Sequence, residues 1–102
     1  MNVVARRTVV RFWEMHPRSK EALEAWYHEA AHAEWKTPQD IKRKYPGASI
    51  LKNNRVQFDI CGNEFRLVCA IRYDIGWIWV KFIGTHAEYD RIDAETYNGN
   101  PV

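Results

Sequence analysis

Cysteine is nearly missing from this chain, two in 102 residues, too few for the multi-bridge framework of a small secreted domain. Glycine and proline are sparse as well, five and four, and follow no period, which excludes a collagen-like or low-complexity chain. No apolar run approaches the roughly 18 residues of a membrane span. The first residues, Met1-Asn2-Val3-Val4-Ala5-Arg6-Arg7, lack the basic-then-apolar order of a secretory leader, so the chain is expected to be cytoplasmic. Charge of one sign is scarce too: the formal total is +2, too weak as a sum to announce a nucleic-acid partner. What is present is a 46% hydrophobic complement in which 14% of all residues are aromatic. That rules out intrinsic disorder and suits one small domain over residues 1–102, with no linker or repeat. A chain of this size buries only about 60–70% of its unfolded surface, so its aromatic residues must carry much of a modest core.

The near-neutral sum hides an uneven distribution. Residues 1–35 carry five basic and five acidic side chains. Residues 36–55 carry Lys36, Lys42, Arg43, Lys44, Lys52 and Arg55 against Asp40 alone, a net +5. Residues 56–102 carry four basic and seven acidic residues, a net −3. A block of +5 can hold a polyanion by releasing its counterions; a solvated surface turn is the plainer reading. Charge alone does not separate the two.

Helices come first, then strands. Val9, Val10 and Trp13 at helical spacing predict a helix over Arg6–Met15, ended by His16-Pro17. Ser19 is the expected N-cap of a second helix running to about Trp35, with Leu23, Trp26, Tyr27, Ala30 and Ala31 as its apolar stripe. Thr37-Pro38 marks the cap and first position of a short basic helix stopped by Pro46-Gly47. From Arg55 the period becomes two. Val56, Phe58 and Ile60 alternate with Gln57, Asp59 and Cys61, and Gly62-Asn63 is a hairpin signal. Further strands are expected over Glu64–Tyr73 and Trp77–Ile83, joined by a turn at Asp74-Ile75-Gly76, and residues 97–102 are expected to fray. The fold class is therefore α+β.

Strand parity assigns faces. A two-residue loop at Gly62-Asn63 sets Ile60 opposite Phe65, Phe58 opposite Leu67 and Val56 opposite Cys69, one apolar face. The other face then pairs Asp59 with Arg66 and Gln57 with Val68. Cys61 and Cys69 point to opposite faces and cannot bridge. An even-numbered second loop adds Ile78, Val80 and Phe82 to the apolar face and sends Trp77, Trp79, Lys81 and Ile83 to the face of Arg66 and Arg72. An odd loop would bury the Lys81 charge, which is costly. The even loop leaves a polar sheet surface carrying Arg66, Arg72, Lys81 and Trp79, with helices covering the other side.

Two patterns compete as chemistry. His28-Glu29-Ala30-Ala31-His32 matches the H-E-x-x-H metalloprotease signature. Its two histidines, however, lie about 130–180° from the apolar stripe, on a face that should meet water, and no His or Gly occurs at the downstream spacing expected of a third ligand, where Ala33-Glu34-Trp35-Lys36-Thr37 stands instead. No metal site is expected. The second pattern is Gly84-Thr85-His86-Ala87-Glu88-Tyr89-Asp90, directly after the third predicted strand. There a rigid sheet presents side chains to a ligand. His86 is an imidazole, the residue type suited to proton transfer, Tyr89 is a phenol, and both lie beside the cationic face. A general acid, a general base and a cationic stabiliser suffice to cut an RNA phosphodiester by attack of its own 2′-hydroxyl. The alternative is a Thr85-capped helix with Tyr89 packed on the sheet and His86 merely exposed.

The strings Gly62-Asn63-Glu64-Phe65-Arg66-Leu67-Val68 and Lys81-Phe82-Ile83-Gly84-Thr85-His86-Ala87-Glu88-Tyr89-Asp90 resemble the HigB-type toxins of bacterial toxin–antitoxin modules. The likeness extends over nearly the whole chain. It implies a RelE-like fold, helices on one side of a small antiparallel sheet with the other side facing RNA. It implies an mRNA interferase acting in the decoding site of translating ribosomes, with no cofactor and no metal. It also implies a helix-turn-helix antitoxin partner of the HigA type. Carried over residue by residue, Arg66 and Lys81 hold the scissile phosphate, His86 is the general base or acid, and Tyr89 is the complementary proton donor or stacks on a base, with the two proton-transfer roles exchangeable. Lys42, Arg43, Lys44, Lys52, Arg55 and Arg72 become contacts to the RNA backbone, which position without reading sequence. Two other readings stand beside this one: a non-catalytic RNA- or ribosome-binding module, and a gyrase-directed toxin of the same fold.

Overall fold

In the computed structural model, which describes residues 1–99, a five-stranded sheet carries three helices on one face and a short fourth helix at its end. The order along the chain is β1 (Asn2–Val4), α1 (Arg6–Met15), α2 (Lys20–His32), α3 (Pro38–Lys44), β2 (Ser49–Leu51), β3 (Arg55–Ile60), β4 (Phe65–Arg72), β5 (Trp77–Thr85) and α4 (His86–Tyr89). The sheet order is β1-β5-β4-β3-β2. This is the expected α+β arrangement, with one addition. Four strands run antiparallel, and β1 pairs parallel to the start of β5, Val3 opposite Ile78.

Local chemistry explains the helix ends. Thr37 and Asp40 form a reciprocal capping box at α3, in which the Asp40 N–H donates to Thr37 Oγ1 and the Thr37 N–H to Asp40 Oδ2. The Lys36 N–H also donates to Asp40 and holds its carboxyl below the usual carboxylate range. Ser19 precedes α2 as expected but caps nothing; its buried hydroxyl donates to the His16 carbonyl at 2.7 Å. Helix α2 stops at His32, short of the expected end near Trp35, and the Met1 ammonium donates to the carbonyls of Ala30, Ala31 and Ala33. A cation at a helix C-terminus is favourable for both the dipole and the open carbonyls.

The core lies between helices and sheet. Phe58 is its centre, ringed by Trp26, Trp35 and Tyr45 at centroid distances of 5.5, 6.3 and 5.3 Å. The β3–β4 register is as parity predicts: Ile60 opposite Phe65, Phe58 opposite Leu67, Val56 opposite Cys69. Their hairpin loop is a different turn from the expected one, since the left-handed residues are Cys61 and Gly62 (φ 59° and 65°) rather than Gly62 and Asn63. A second hairpin, β2–β3, is closed by left-handed Asn53 and Asn54, a conformation asparagine tolerates.

Strand β5 departs from simple alternation. Ile78 and Val80 face the core opposite Ile71 and Cys69, as the even loop requires. The register then shifts: Phe82, not Lys81, pairs with Val68, and Ile83 pairs with Leu67. Lys81 is the unpaired residue of a bulge. Phe82 therefore belongs to the face of Arg66, and Ile83 packs on the core, the reverse of the expected assignment.

That second face is not bare. The segment after α4 returns across it, and Val68 and Gln57 beneath are 0% and 3% exposed. Residues 97–99 belong to this packing: Tyr97 meets the Phe82 ring edge-on at 5.6 Å, and the Arg55 guanidinium donates to Ala94 O, Tyr97 O and Asn98 Oδ1. Tyr97 and Asn98, expected to lie in a frayed tail, thus make contacts with the sheet; residues 100–102 lie outside the described residues.

Candidate nucleic-acid site at the end of the sheet

Where β3, β4 and β5 end together, Arg66 lies opposite Asp59 on one side and Gly84 on the other. Its Nη1 donates to Asp59 Oδ1. Gln57 Nε2 donates to the same oxygen at 2.7 Å, so a buried amide fixes the carboxylate that fixes the guanidinium. The guanidinium carbon sits 5.7 Å from the centroid of the Tyr89 ring, within cation–π range. Arg66 is 14% exposed at its side chain. It is a held cation whose buried Nε has no hydrogen-bond partner among the described residues.

Tyr89 is brought there by α4, which is only four residues long but has its own capping box: the Glu88 N–H donates to Thr85 Oγ1 and the Thr85 N–H to Glu88 Oε1 at 2.8 Å. Burial raises the Tyr89 phenol above the ordinary tyrosine value, and the positive Arg66 opposes that rise. At neutral pH it is a proton donor. His86 opens the same helix. Its backbone N–H donates to Glu64 O, tying it to the start of β4, and its Nδ1 lies 3.2 Å from Asp90 Oδ2. The ring is half-exposed with Nε2 free of that contact.

Lys81, on the bulge, forms no ion pair among the described residues. It lines a cleft with Phe82, Arg91 and Tyr97, adjoining Tyr89 through the Phe82 ring, 6.2 Å away. The structure therefore brings Arg66, His86 and Tyr89 to one end of the sheet, while Lys81 stands midway along β5, in a neighbouring cleft that meets Tyr89 through the Phe82 ring.

The basic residues of the central block do not form one surface. Lys42 Nζ donates to Pro46 O and Ala48 O, closing the turn after α3. Arg43 pairs with Asp40 at 2.7 Å and Lys44 with Glu29 at 3.5 Å, both basic side chains still largely exposed. Arg72 grips Asp74 with two nitrogens, at 3.0 and 2.7 Å. Lys52 is exposed in the β2–β3 turn. Arg55 must be corrected: at 7% exposure it is an internal clamp, not a backbone contact for RNA. The sequence could not show this, because its partners lie some 40 residues downstream.

Sequence reasoning missed Gln57, Arg91 and Tyr97 as neighbours of the site. Gln57 was legible as the same-face neighbour of Asp59. Arg91 and Tyr97 follow the last motif residue without periodicity, and only the returning chain places them. The histidines of the H-E-x-x-H pattern are exposed on α2, with His32 Nδ1 donating to His28 O. Glu29 turns instead toward Lys44 and Tyr45. No group of three metal-ligating side chains stands together among the described residues, and no described helix is long and apolar enough to cross a membrane.

Residues 19–92 match the family model of HigB toxins, described as the RelE-like toxic component of a toxin–antitoxin system. The chain is 25% identical to the mRNA interferase toxin HigB of Escherichia coli K12 over 92% of each protein. It is 24% identical to the mRNA interferase HigB of Escherichia coli O6:H1, over 90% of this chain and 91% of that one. The mRNA interferase HigB of Shigella flexneri is similar at 25%, over 92% of both. The family match spans α2, α3, strands β2 to β5 and the Arg66–Tyr89 site, and the chain belongs to the HigB toxin family.

Proposed function

We propose that this protein is an endoribonuclease that cuts mRNA on translating ribosomes and is held in check by a helix-turn-helix antitoxin of the HigA type. The observation that supports it most is Arg66, fixed between Asp59 and the Tyr89 ring, with His86 one residue past the strand beside it. Relatives named mRNA interferases align over about nine-tenths of the chain.

Attack of a 2′-hydroxyl on the neighbouring phosphate needs a proton removed, negative charge stabilised and a proton delivered to the leaving 5′-oxygen. His86 Nε2 takes the 2′-proton, its ring oriented by Asp90 through Nδ1. Arg66 and Lys81 hold the phosphoryl oxygens as charge builds; donors aimed at developing charge are worth about 10²–10³ in rate each. Tyr89, kept protonated by its surroundings, supplies the proton to the leaving group. The phosphorus–5′-oxygen bond breaks as the 2′-oxygen bond forms, leaving a 2′,3′-cyclic phosphate and a free 5′-hydroxyl. Of the central block, Arg43, Lys44 and Lys52 remain exposed for backbone contacts with RNA, and Arg72 adds another at the far end of β4. This work on ribosomes places the protein in the cytoplasm.

The test is cleavage of a defined message in a translating extract, with and without ribosomes and with a chelator added. The parent should cut only with ribosomes, be indifferent to chelation, and leave cyclic phosphate ends. Arg66→Ala and His86→Ala should abolish cutting and the growth arrest that follows expression without antitoxin. Arrest by both variants as strong as that of the parent overturns the catalytic assignment. Loss of the ribosome requirement overturns the site of action.

A further inference from the structure

Between β5, α1, α4 and the returning C-terminal segment lies a cleft of about 400 Å³, within the range of small-ligand sites. Lys81 and Arg91 line it, and neither forms an ion pair among the described residues. By contrast Arg43, Arg66 and Arg72 are all paired with carboxylates. Glu88 contributes the one carboxylate, and its Oε1 accepts from the Thr85 N–H at 2.8 Å. The cleft therefore keeps an excess of positive charge. Thr8 adds a hydroxyl-bearing side chain, and the other walls include Phe82, Ile92 and Tyr97. Phe82 and Tyr97 meet edge-on at 5.6 Å, and Phe82 touches Tyr89, over which Arg66 lies. Unpaired cations beside aromatic rings, in a cleft that adjoins Tyr89 through the Phe82 ring, match what a single RNA strand offers: phosphates spaced along a chain of stackable bases.

We infer that this cleft is a subsite for the nucleotide next to the cut, with Arg91 holding its phosphate and the Phe82–Tyr97 wall receiving its base. The inference rests on the reading of Arg66, His86 and Tyr89 as an RNA-cutting centre. Arg91 thereby becomes a binding residue for the substrate strand, outside the bond-breaking step. Each phosphate neutralised on a single strand contributes about −0.7 to the slope of log affinity against log salt. Arg91→Ala should therefore flatten that slope by about 0.7.

The experiment titrates the full-length protein with a 2′-methoxy RNA hexanucleotide, which cannot be cut, across a range of salt concentrations. Thermal unfolding is recorded for each variant. Arg91→Ala is expected to weaken binding about tenfold, which corresponds to about 1.4 kcal/mol, and to flatten the slope. Arg91→Lys should keep the slope, and Lys20→Ala, an exposed charge on α2, should change neither. In message cleavage, Arg91→Ala should raise KM while leaving kcat near that of the parent. A parent-like slope and affinity in Arg91→Ala, or no binding by the parent itself, overturns the subsite. If Arg91→Ala behaves as expected while Arg66→Ala and His86→Ala still cleave, the subsite stands and the catalytic reading falls.

Discussion

Replacing Arg55 separates a structural cation from an RNA contact. Its guanidinium is buried beneath the C-terminal segment and bonded only to uncharged oxygens: Ala94 O at 3.1 Å, Asn98 Oδ1 at 2.9 Å and Tyr97 O. Hydrogen bonds to a charged group are worth about 1.5–3 kcal/mol each. Removing the side chain also relieves the cost of keeping a cation away from water, several kcal/mol in itself. The difference, together with the buried Ala94 carbonyl left unpaired, gives a net loss of about 2–4 kcal/mol for Arg55→Met. In a domain of this size each kcal/mol moves the unfolding temperature by about 4–8 °C, so Tm should fall by roughly 8–30 °C. Calorimetry or circular dichroism reads this directly. Hydrogen exchange should show the amides of residues 94–98 losing protection before those of β3 and β4. Arg55→Lys should recover only part of the loss, because an ammonium cannot reproduce the guanidinium fork. If Arg55 were instead a solvated phosphate contact, Tm would stay within the scatter of surface substitutions, about 0.5 kcal/mol. An unchanged Tm with weakened RNA binding would refute the clamp.

Phe58→Ala removes the centre of the aromatic cluster and should cost about 3–5 kcal/mol by urea unfolding. A loss below about 1 kcal/mol would mean that Trp26, Trp35 and Tyr45 close the gap among themselves. Burial, reinforced by Glu29, raises the Tyr45 phenol above its ordinary value. The folded state thus holds this proton more tightly than the unfolded chain does, and the associated stability is intact below about pH 10 and declines above it. Tyr45→Phe should flatten urea midpoints measured between pH 9 and about 11. Tyr89→Phe keeps the ring beneath Arg66 but removes the donor, and should lower cleavage about 10²–10⁴-fold with Tm nearly unchanged. Asp59→Asn leaves Arg66 in place without its anion, so the deficit should appear in phosphate affinity and in its salt dependence rather than in folding.

The elements that could be read from the sequence are those in which one local pattern settles the structure. Helix α1 and the Thr37 cap follow from residues within a turn of one another, and the β3–β4 register from alternation across a single hairpin. Strand β1 could not be read, since Asn2–Val4 is three residues long and pairs with Trp77–Trp79 across most of the chain. Strand β2 is as short, although the Asn53-Asn54 turn marks its hairpin. The fate of Lys81 was hidden because Val80-Lys81-Phe82-Ile83 supports two phases equally, and only packing against Leu67 and Val68 selects one. The paired strings bring Arg66, His86 and Tyr89 to one place. The charge block misled: six basic residues in sequence became a turn lock, two ion pairs, a buried clamp and two exposed lysines, Lys36 and Lys52, once folded.

The bulge on β5 has a consequence for what this strand encodes. Cys69 pairs with Val80 and Val68 with Phe82, so excising Lys81 would leave every other residue of β5 with its present partner and its present face. The ladder is complete without it. Inward- and outward-facing positions of a strand are chosen by the core or by the sheet surface; Lys81 answers to neither. A one-residue deletion should yield a straighter strand that folds and has lost its cation, a separation of scaffold from function that no substitution within the paired positions could achieve.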